Sequence, residues 1–288
     1  MPEARRSFGA QLRAAMDRRG QLCVGIDPHP GLLSAWGLND DAAGLERFSL
    51  TVLDAVQEHA AALKPQVALF ERHGSAGLAV LERLLAACAD AQVLSIADAK
   101  RGDIGSTMAA YADAWLRDGS ALAADAVTLS PYLGFESLRP ALDLARDNGR
   151  GVFVLALTSN PEGASVQHAG GGEGRSVAAQ MVQAAAAENA VNSPAAGTLG
   201  SVGLVVGGTV GTTVLAGLGL DLAASRAPLL APGLGAQGAT AADLRRTFGN
   251  AYANVLGTSS RGILAAGPDT RLLRDAAART VGELAAVR

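Results

Sequence analysis

Three charged side chains follow one another closely near the middle of the chain, after a short apolar run. Residues 93–107 read VLSIADAKRGDIGST. Alternate side chains of a strand point the same way, so Asp98 and Lys100 are predicted to lie side by side at a strand end. Gly102 then frees the backbone to turn, and Asp103 is placed to cap a helix that begins near residue 106. Taken alone, these groups also fit a plain ion pair and a helix cap.

The scarcity of lysine in the chain strengthens the interpretation that these charged groups take part in chemistry. The chain has 24 Lys and Arg residues, of which only Lys64 and Lys100 are lysine. Arginine serves wherever a fixed positive charge is enough, but a guanidinium cannot give up its proton, whereas an ammonium can. Both lysines end apolar runs, which favours a role as an acid or a point charge over a role on the solvated surface.

A second group of residues, near the C-terminal end, has the composition of a phosphate site. Residues 232–238 read PGLGAQG, and their glycines let backbone N–H groups approach a ligand while Gln237 adds a side-chain donor. Arg261 follows the next apolar segment and offers a guanidinium that can bind phosphate through two hydrogen bonds. A glycine-rich turn alone also fits an ordinary turn, but together with Arg261 it predicts a small phosphorylated substrate.

The elements that must position these groups alternate regularly along the chain. Strands are predicted at 22–27, 61–70, 93–100, 125–130, 151–157, 202–206, 229–231 and 254–257. Helices are predicted at 4–19, 42–60, 75–89, 106–118, 135–148, 175–191, 210–226, 240–248 and 269–286, and a long loop at 158–174.

Eight apolar strands, each followed by a helix, predict an α/β fold with a parallel sheet, namely a single-domain (β/α)8 TIM barrel that spans residues 1–288. A doubly wound open sheet is the structural alternative. In a barrel, Asp27, Ser159 and the charged and phosphate-binding residues fall at the C-terminal ends of strands, where such enzymes keep their active sites.

Composition excludes several classes of partner. The net charge of −3 and the 4% aromatic content argue against nucleic acid and anionic membranes. Cys23 and Cys88 belong to no CxxC pair and fit buried thiols in a reducing compartment. The four histidines lack metal-like spacing, so no metal site is predicted. With no signal peptide and no transmembrane segment in the sequence, we expect a soluble, cytoplasmic protein.

The segment DAKRGDIGST at 98–107 resembles the D-x-K-x-x-D-I-G-x-T signature of orotidine 5′-phosphate decarboxylases. The resemblance extends over roughly residues 20–265, through VGIDP at the first strand, Lys64-Pro65 at the second, TSNP after the fifth and PGLGAQG after the seventh. The length resembles that of the longer bacterial subfamily. The resemblance implies cofactor-independent decarboxylation of orotidine 5′-phosphate to uridine 5′-phosphate (UMP), in de novo pyrimidine biosynthesis.

The resemblance also implies residue roles and a homodimer. Lys64, Asp98, Lys100 and Asp103 would form a catalytic charge network in which Lys100 protonates C6 of the pyrimidine. The resemblance implies that substrate would be bound by Asp27, Thr107, Ser159, Gln237 and Arg261. Asp103 and Thr107 would come from the partner subunit. The segment at about 160–174 has no counterpart in short members and would be a lid or a flexible insertion.

Two other functions stay open at the sequence level. A magnesium-dependent sugar-phosphate decarboxylase or hexulose-phosphate synthase shares D-x-K-x-x-D, but such enzymes resemble one another in carrying an acidic metal ligand where this chain has Lys64. A non-catalytic barrel that senses a nucleotide would bind UMP without turning over orotidine 5′-phosphate.

Overall fold

The computed structural model describes residues 5–171, 175–192, 198–235 and 238–288. Within these ranges, eight parallel strands close into a barrel, so the predicted (β/α)8 fold is confirmed and the open sheet is excluded. The barrel strands are β1 Leu22–Ile26, β2 Ala62–Pro65, β3 Leu94–Arg101, β4 Ala126–Leu129, β5 Gly151–Leu157, β6 Val202–Val206, β7 Leu229–Pro232 and β8 Val255–Ser259. The barrel closes because β1 pairs with both β2 and β8.

Helices follow the strands and cover the barrel. They are α1 Phe8–Arg19, α2 Pro30–Ala35, α3 Ala42–Val56, α4 Ala68–Glu71, α5 Gly74–Asp90, α6 Gly105–Leu116, α7 Arg139–Asp147, α8 Ala164–Gln167, α9 Val177–Asn192, α10 Thr212–Gly217, α11 Ala241–Phe248, α12 Arg261–Leu264 and α13 Thr270–Ala286. Short 3-10 helices span Phe135–Leu138, Pro161–Gly163 and Gly249–Asn254. No helix in the described ranges is both long enough and apolar enough to span a bilayer.

Local sequence explains where several helices begin. Asp41 accepts a hydrogen bond from the N–H of Gly44 at the start of α3, and Asp269 accepts two at the start of α13. Thr240 and Asp243 form a reciprocal capping box at the start of α11. These caps satisfy N–H groups that have no partner within the helix.

The interior of the barrel is closed at its N-terminal end by α1. Phe8 packs edge-on against Phe153 of β5, with ring centroids 5.9 Å apart. Leu12 and Met16 from the same helix face are fully buried in the cluster that fills the barrel. A larger cluster packs the outer surface of the strands against the helices. With the N-terminal end sealed, the C-terminal strand ends are left to form a cavity.

Three element predictions need correction. The second strand was predicted to run over 61–70, but β2 ends at Pro65 and the chain turns into α4, which buries Phe70. The helix predicted at 210–226 is shorter in the structure, where α10 lies between Gly211 and Gly219, which both have a positive φ. The loop at 158–174 contains helical turns and α8, and Gly170–Gly171 pairs with Arg175–Ser176; residues 172–174 lie outside the described residues.

Candidate active site

A cavity of about 800 Å³ opens at the C-terminal end of the barrel. Its wall includes residues from seven of the eight strands or from the loops that follow them, among them Asp27, Lys64, Asp98, Lys100, Ser159 and Arg261. Apolar side chains Leu155, Val205 and Leu230 line the same cavity. The sequence therefore brings six of its predicted site residues into one place.

Asp98 lies at the centre of the charged wall. Its Oδ2 accepts a hydrogen bond from Lys64 Nζ at 2.7 Å, and its Oδ1 accepts one from Lys100 Nζ at 2.6 Å. Lys64 and Asp98 are only 5% and 8% exposed, while the side chain of Lys100 is 45% exposed to the cavity and solvent. The two ammoniums thus bracket one carboxylate, and Lys100 is the one that solvent reaches.

Electrostatics keep the buried pair of Asp98 and Lys64 ionised. Burial opposes the negative charge of Asp98, but the ammoniums of Lys64 and Lys100 outweigh it and lower the pKa of Asp98 to about 2. Burial alone would lower the pKa of Lys64, yet the carboxylates of Asp98 and Asp27 raise it above its ordinary value. Asp98 is therefore an anion, and Lys64 a cation, throughout the neutral range.

The strand that carries Asp98 and Lys100 is irregular where the two residues sit. Between Ala97 and Arg101 the pairing of β3 with β4 shifts register, and Lys100 adopts φ = 48°, which is uncommon outside glycine. The two side chains meet, as predicted, but in a bulge and not through the simple alternation of a regular strand.

Asp27 faces the cavity just beyond the end of β1. No donor among the described residues bonds its buried Oδ1. A β-carbon at Gly25 would lie 1.9 Å from Ser260 Oγ and 3.3 Å from Asp27 Oδ1, so glycine is required where the ends of β1 and β8 crowd together. Because Asp27 also lines the cavity, its carboxylate is placed to accept a hydrogen bond from a hydroxyl of a ligand.

The predicted phosphate end lies on the β7 and β8 side of the cavity. Gly233 has φ = 117° and Gly235 φ = 81°, conformations in which a side chain is strained. Arg261 is exposed at the first position of α12, and both Gly233 and Arg261 line the cavity. Gln237, also predicted to bind phosphate, lies outside the described residues.

A family model described as orotidine 5′-phosphate decarboxylase / HUMPS family matches residues 20–276.

The chain belongs to this family.

An orotidine 5′-phosphate decarboxylase of Streptomyces coelicolor is 58% identical over 277 residues, or 96% of each chain. A solved Streptomyces avermitilis structure, provisionally described as an orotidine 5′-phosphate decarboxylase, is 58% identical with a TM-score of 0.93, covering 99% of this chain and 97% of that one. The Leishmania donovani OMP decarboxylase is 32% identical with a TM-score of 0.76, covering 98% of each chain. The predicted family is thereby confirmed.

Two residues of the decarboxylase signature lie apart from the cavity of their own chain. Asp103 is half-buried and accepts a hydrogen bond from the N–H of Ile104 at 2.7 Å, and Thr107 is exposed on α6. The helix begins at Gly105 with Ile104 in the cap position, so Asp103 does not cap it as predicted. Neither side chain lines the cavity.

One contact of the signature aspartate was not anticipated. Thr128 of β4 donates from its hydroxyl to Asp98 Oδ1 at 2.9 Å. The only sequence signal for it is a hydroxyl inside an apolar strand. Such a threonine more often serves strand packing, so its type alone does not mark it as part of a site.

Proposed function

We propose that this chain converts orotidine 5′-phosphate to UMP and carbon dioxide, the last step of UMP synthesis, without a metal ion or an organic cofactor. The observation that carries the proposal is the buried carboxylate of Asp98 with an ammonium on each oxygen, in a cavity that also holds the phosphate-type loop. The 58% identity to the Streptomyces coelicolor decarboxylase over nearly the whole chain supports it.

Substrate binding uses opposite sides of the cavity. The phosphate binds Arg261 and the backbone at Gly233, with Gln237 added as the resemblance implies. The carboxylate of Asp27, which lines the cavity, accepts a ribose hydroxyl, and Ser159 contacts the pyrimidine. The apolar side chains on the cavity wall favour the uncharged product carbon dioxide over the carboxylate that the substrate brings.

The chemical step is electrostatic. The bond between C6 and the carboxylate carbon breaks, its electron pair stays on C6, and carbon dioxide leaves. Lys100 then donates a proton from Nζ to C6 and regains one from solvent, which its exposure permits. Lys64 holds Asp98 in place from the buried side. The ammonium of Lys100 stabilises the carbanion before it is protonated.

The repulsion between Asp98 and the substrate carboxylate accounts for only part of the rate acceleration. Two like charges at 4 Å repel by about 4 kcal/mol at an effective dielectric constant of 20. Relief of that repulsion accelerates the reaction by roughly three decades. The binding energy of the phosphate and the ammonium of Lys100 supply the rest of the acceleration.

The chain acts as a homodimer in this proposal, with Asp103 and Thr107 completing the site of the partner subunit. Asp103 stands next to Ile104, which is exposed, and Tyr132 and Leu133 of the neighbouring loop are exposed as well. Large apolar side chains in solvent beside the active face support burial against a second copy.

The deciding experiment is a spectrophotometric assay of orotidine 5′-phosphate consumption by the purified protein, with UMP identified as the product. We expect turnover that persists in excess chelator. UMP binding without turnover would overturn the proposal in favour of a nucleotide sensor. A strict requirement for magnesium would favour the sugar-phosphate enzymes, although the ammonium of Lys64 at 2.7 Å from Asp98 already supplies a cation there.

A further inference from the structure

Thr128 lies opposite the bulge that carries the two charged residues of β3. The ladder pairs Ala97 with Val127 and Arg101 with Leu129, so β3 advances four residues while β4 advances two. The backbone of residues 98–100 therefore lacks its regular partners on β4. Thr128 is the residue of β4 between the two registered pairs, and it is 1% exposed.

The hydroxyl of Thr128 contacts both members of the charged pair. It donates to Asp98 Oδ1 at 2.9 Å and accepts from the backbone N–H of Lys100 at 2.9 Å. One hydroxyl has one proton and two lone pairs, so the two hydrogen bonds are compatible. The second bond satisfies an N–H that the register shift has removed from the ladder, at the residue with φ = 48°.

We infer that Thr128 is a positioning residue for the decarboxylation. It fixes the bulged backbone of Lys100 and the carboxylate of Asp98 relative to each other, so that Lys100 Nζ stays directed at the reacting carbon. The inference rests on the proposed function. It assigns to β4 a part in the catalytic step, although Thr128 itself does not line the cavity.

The position of Thr128 predicts which kinetic constant it controls. The phosphate-type residues that the structure describes, Gly233 and Arg261, follow β7 and β8 on the other side of the barrel, and neither bonds Thr128. Binding of the phosphate therefore does not depend on the hydroxyl, whereas the aim of Lys100 does. A displacement of about 1 Å at a reacting group costs roughly a hundredfold in rate.

The test replaces Thr128 with valine, which keeps the branched shape and removes the hydroxyl, and with serine, which keeps the hydroxyl. We expect Thr128→Val to lower kcat by about ten- to a hundredfold with KM changed less than about twofold. Thr128→Ser should recover most of kcat. Thr247→Val, at another buried threonine on α11 outside the cavity, is the matched control and should leave kcat unchanged.

The outcomes separate this inference from the proposed function. Absence of turnover in the wild-type protein would overturn the proposed function itself. An active wild type with a Thr128→Val variant of unchanged kcat would overturn the inference alone. A loss of kcat in both Thr128→Val and Thr128→Ser would also overturn it, because rescue by the serine hydroxyl is what a positioning bond requires. UMP binding by Thr128→Val, at near wild-type affinity, shows that the variant is folded.

Discussion

Asp98 is stable inside the barrel because each of its oxygens meets an ammonium. A buried charge without a partner costs several kcal/mol, and a buried pair repays that cost only when its hydrogen bonds are well made. Here Lys64, Lys100 and Thr128 donate three hydrogen bonds to the two oxygens. Of the three donors, the ammonium of Lys100 is the one that lines the cavity with Asp98 on the side that solvent reaches, where a carbanion would form. The same contacts thus keep the carboxylate ionised and prepare the site for an anion.

Replacing Lys100 by arginine tests whether its proton is used. The guanidinium keeps the positive charge next to Asp98 but cannot release a proton at neutral pH. We expect kcat to fall by at least about a thousandfold, towards the upper end of what general acid catalysis contributes. The melting temperature should stay within a few degrees, since the side chain is 45% exposed. A rate within about tenfold of wild type would refute the acid role.

The pH dependence of stability tests the electrostatics of Asp98. Its pKa is lowered from 3.8 to about 2 in the folded protein. The unfolded chain therefore takes up the proton first, so the stabilisation is complete above about pH 4 and is lost as the pH falls through about 2. It amounts to about 2 kcal/mol.

Urea unfolding of wild type and Asp98→Asn, between pH 5 and pH 3, measures this contribution by difference. The variant leaves Lys64 without its main partner, but that penalty is constant in this range because the ammonium stays protonated. We expect the difference in the free energy of unfolding to shrink below about pH 4. A difference that is flat down to pH 3 would contradict the lowered pKa.

At the residue level, chemistry was easier to predict than geometry. The spacing of Asp98 and Lys100 and the scarcity of lysine pointed to the charged pair, and in the structure Lys64 and Lys100 both bond Asp98. The contact of Thr128 was not predictable, because it depends on the register shift between β3 and β4. A pattern of alternating side chains assumes a regular ladder and carries no information on where a bulge falls.

At the level of elements, one side chain joins the start of the loop after β5 to α8. Gln167, at the end of α8, accepts from the N–H of Thr158 through Oε1 and donates to Thr158 Oγ1 through Nε2, both at 2.8 Å. Thr158, Ser159 and Asn160 line the cavity. Gln167 therefore connects α8 to the cavity wall. The role of the segment as a lid stays a prediction.

Removing this clamp should weaken substrate binding. Without the amide of Gln167, residues 158–160 must be ordered when substrate binds, at a cost in conformational entropy. We expect Gln167→Ala to raise KM for orotidine 5′-phosphate by about three- to tenfold while kcat changes less than about twofold. Steady-state kinetics measure both. Gln57→Ala, at the C-terminal end of α3, is the matched glutamine control. An unchanged KM would show that the clamp does not hold the site.

Elements bounded by clear breaks were predicted best. The apolar runs at 151–157 and 202–206 became strands with the predicted limits. The run at 61–70 was misjudged beyond Pro65, because a short apolar segment fits a buried helix as well as a strand. The helix α1 was predicted within 4–19, where residue 4 lies outside the described residues. Its closing of the barrel depends on tertiary packing of Phe8 that no local pattern reveals.

At the level of the whole molecule, the proposed homodimer raises the question of which subunit completes each site. The described chain brings Lys64, Asp98 and Lys100 together but leaves Asp103 beside exposed Ile104, away from the cavity. A symmetric dimer buries such a surface against its own copy and places the same residue in both sites. Loss of activity in Asp103→Ala alone does not say which site the residue serves, so two variants must be combined.

A mixture of two inactive variants shows whether Asp103 completes the site of the partner subunit. In a dimer of one Lys100→Arg and one Asp103→Ala subunit, the site built on the second subunit has its own Lys100 and receives Asp103 from the first. Random exchange makes half of the dimers mixed, so we expect roughly a quarter of wild-type activity after the two proteins are unfolded and refolded together. Lys100→Arg mixed with Asp98→Asn is the matched control and stays inactive, because both groups belong to one subunit's site. If the first mixture is as inactive as the second, Asp103 serves its own subunit or neither, and the shared site is refuted.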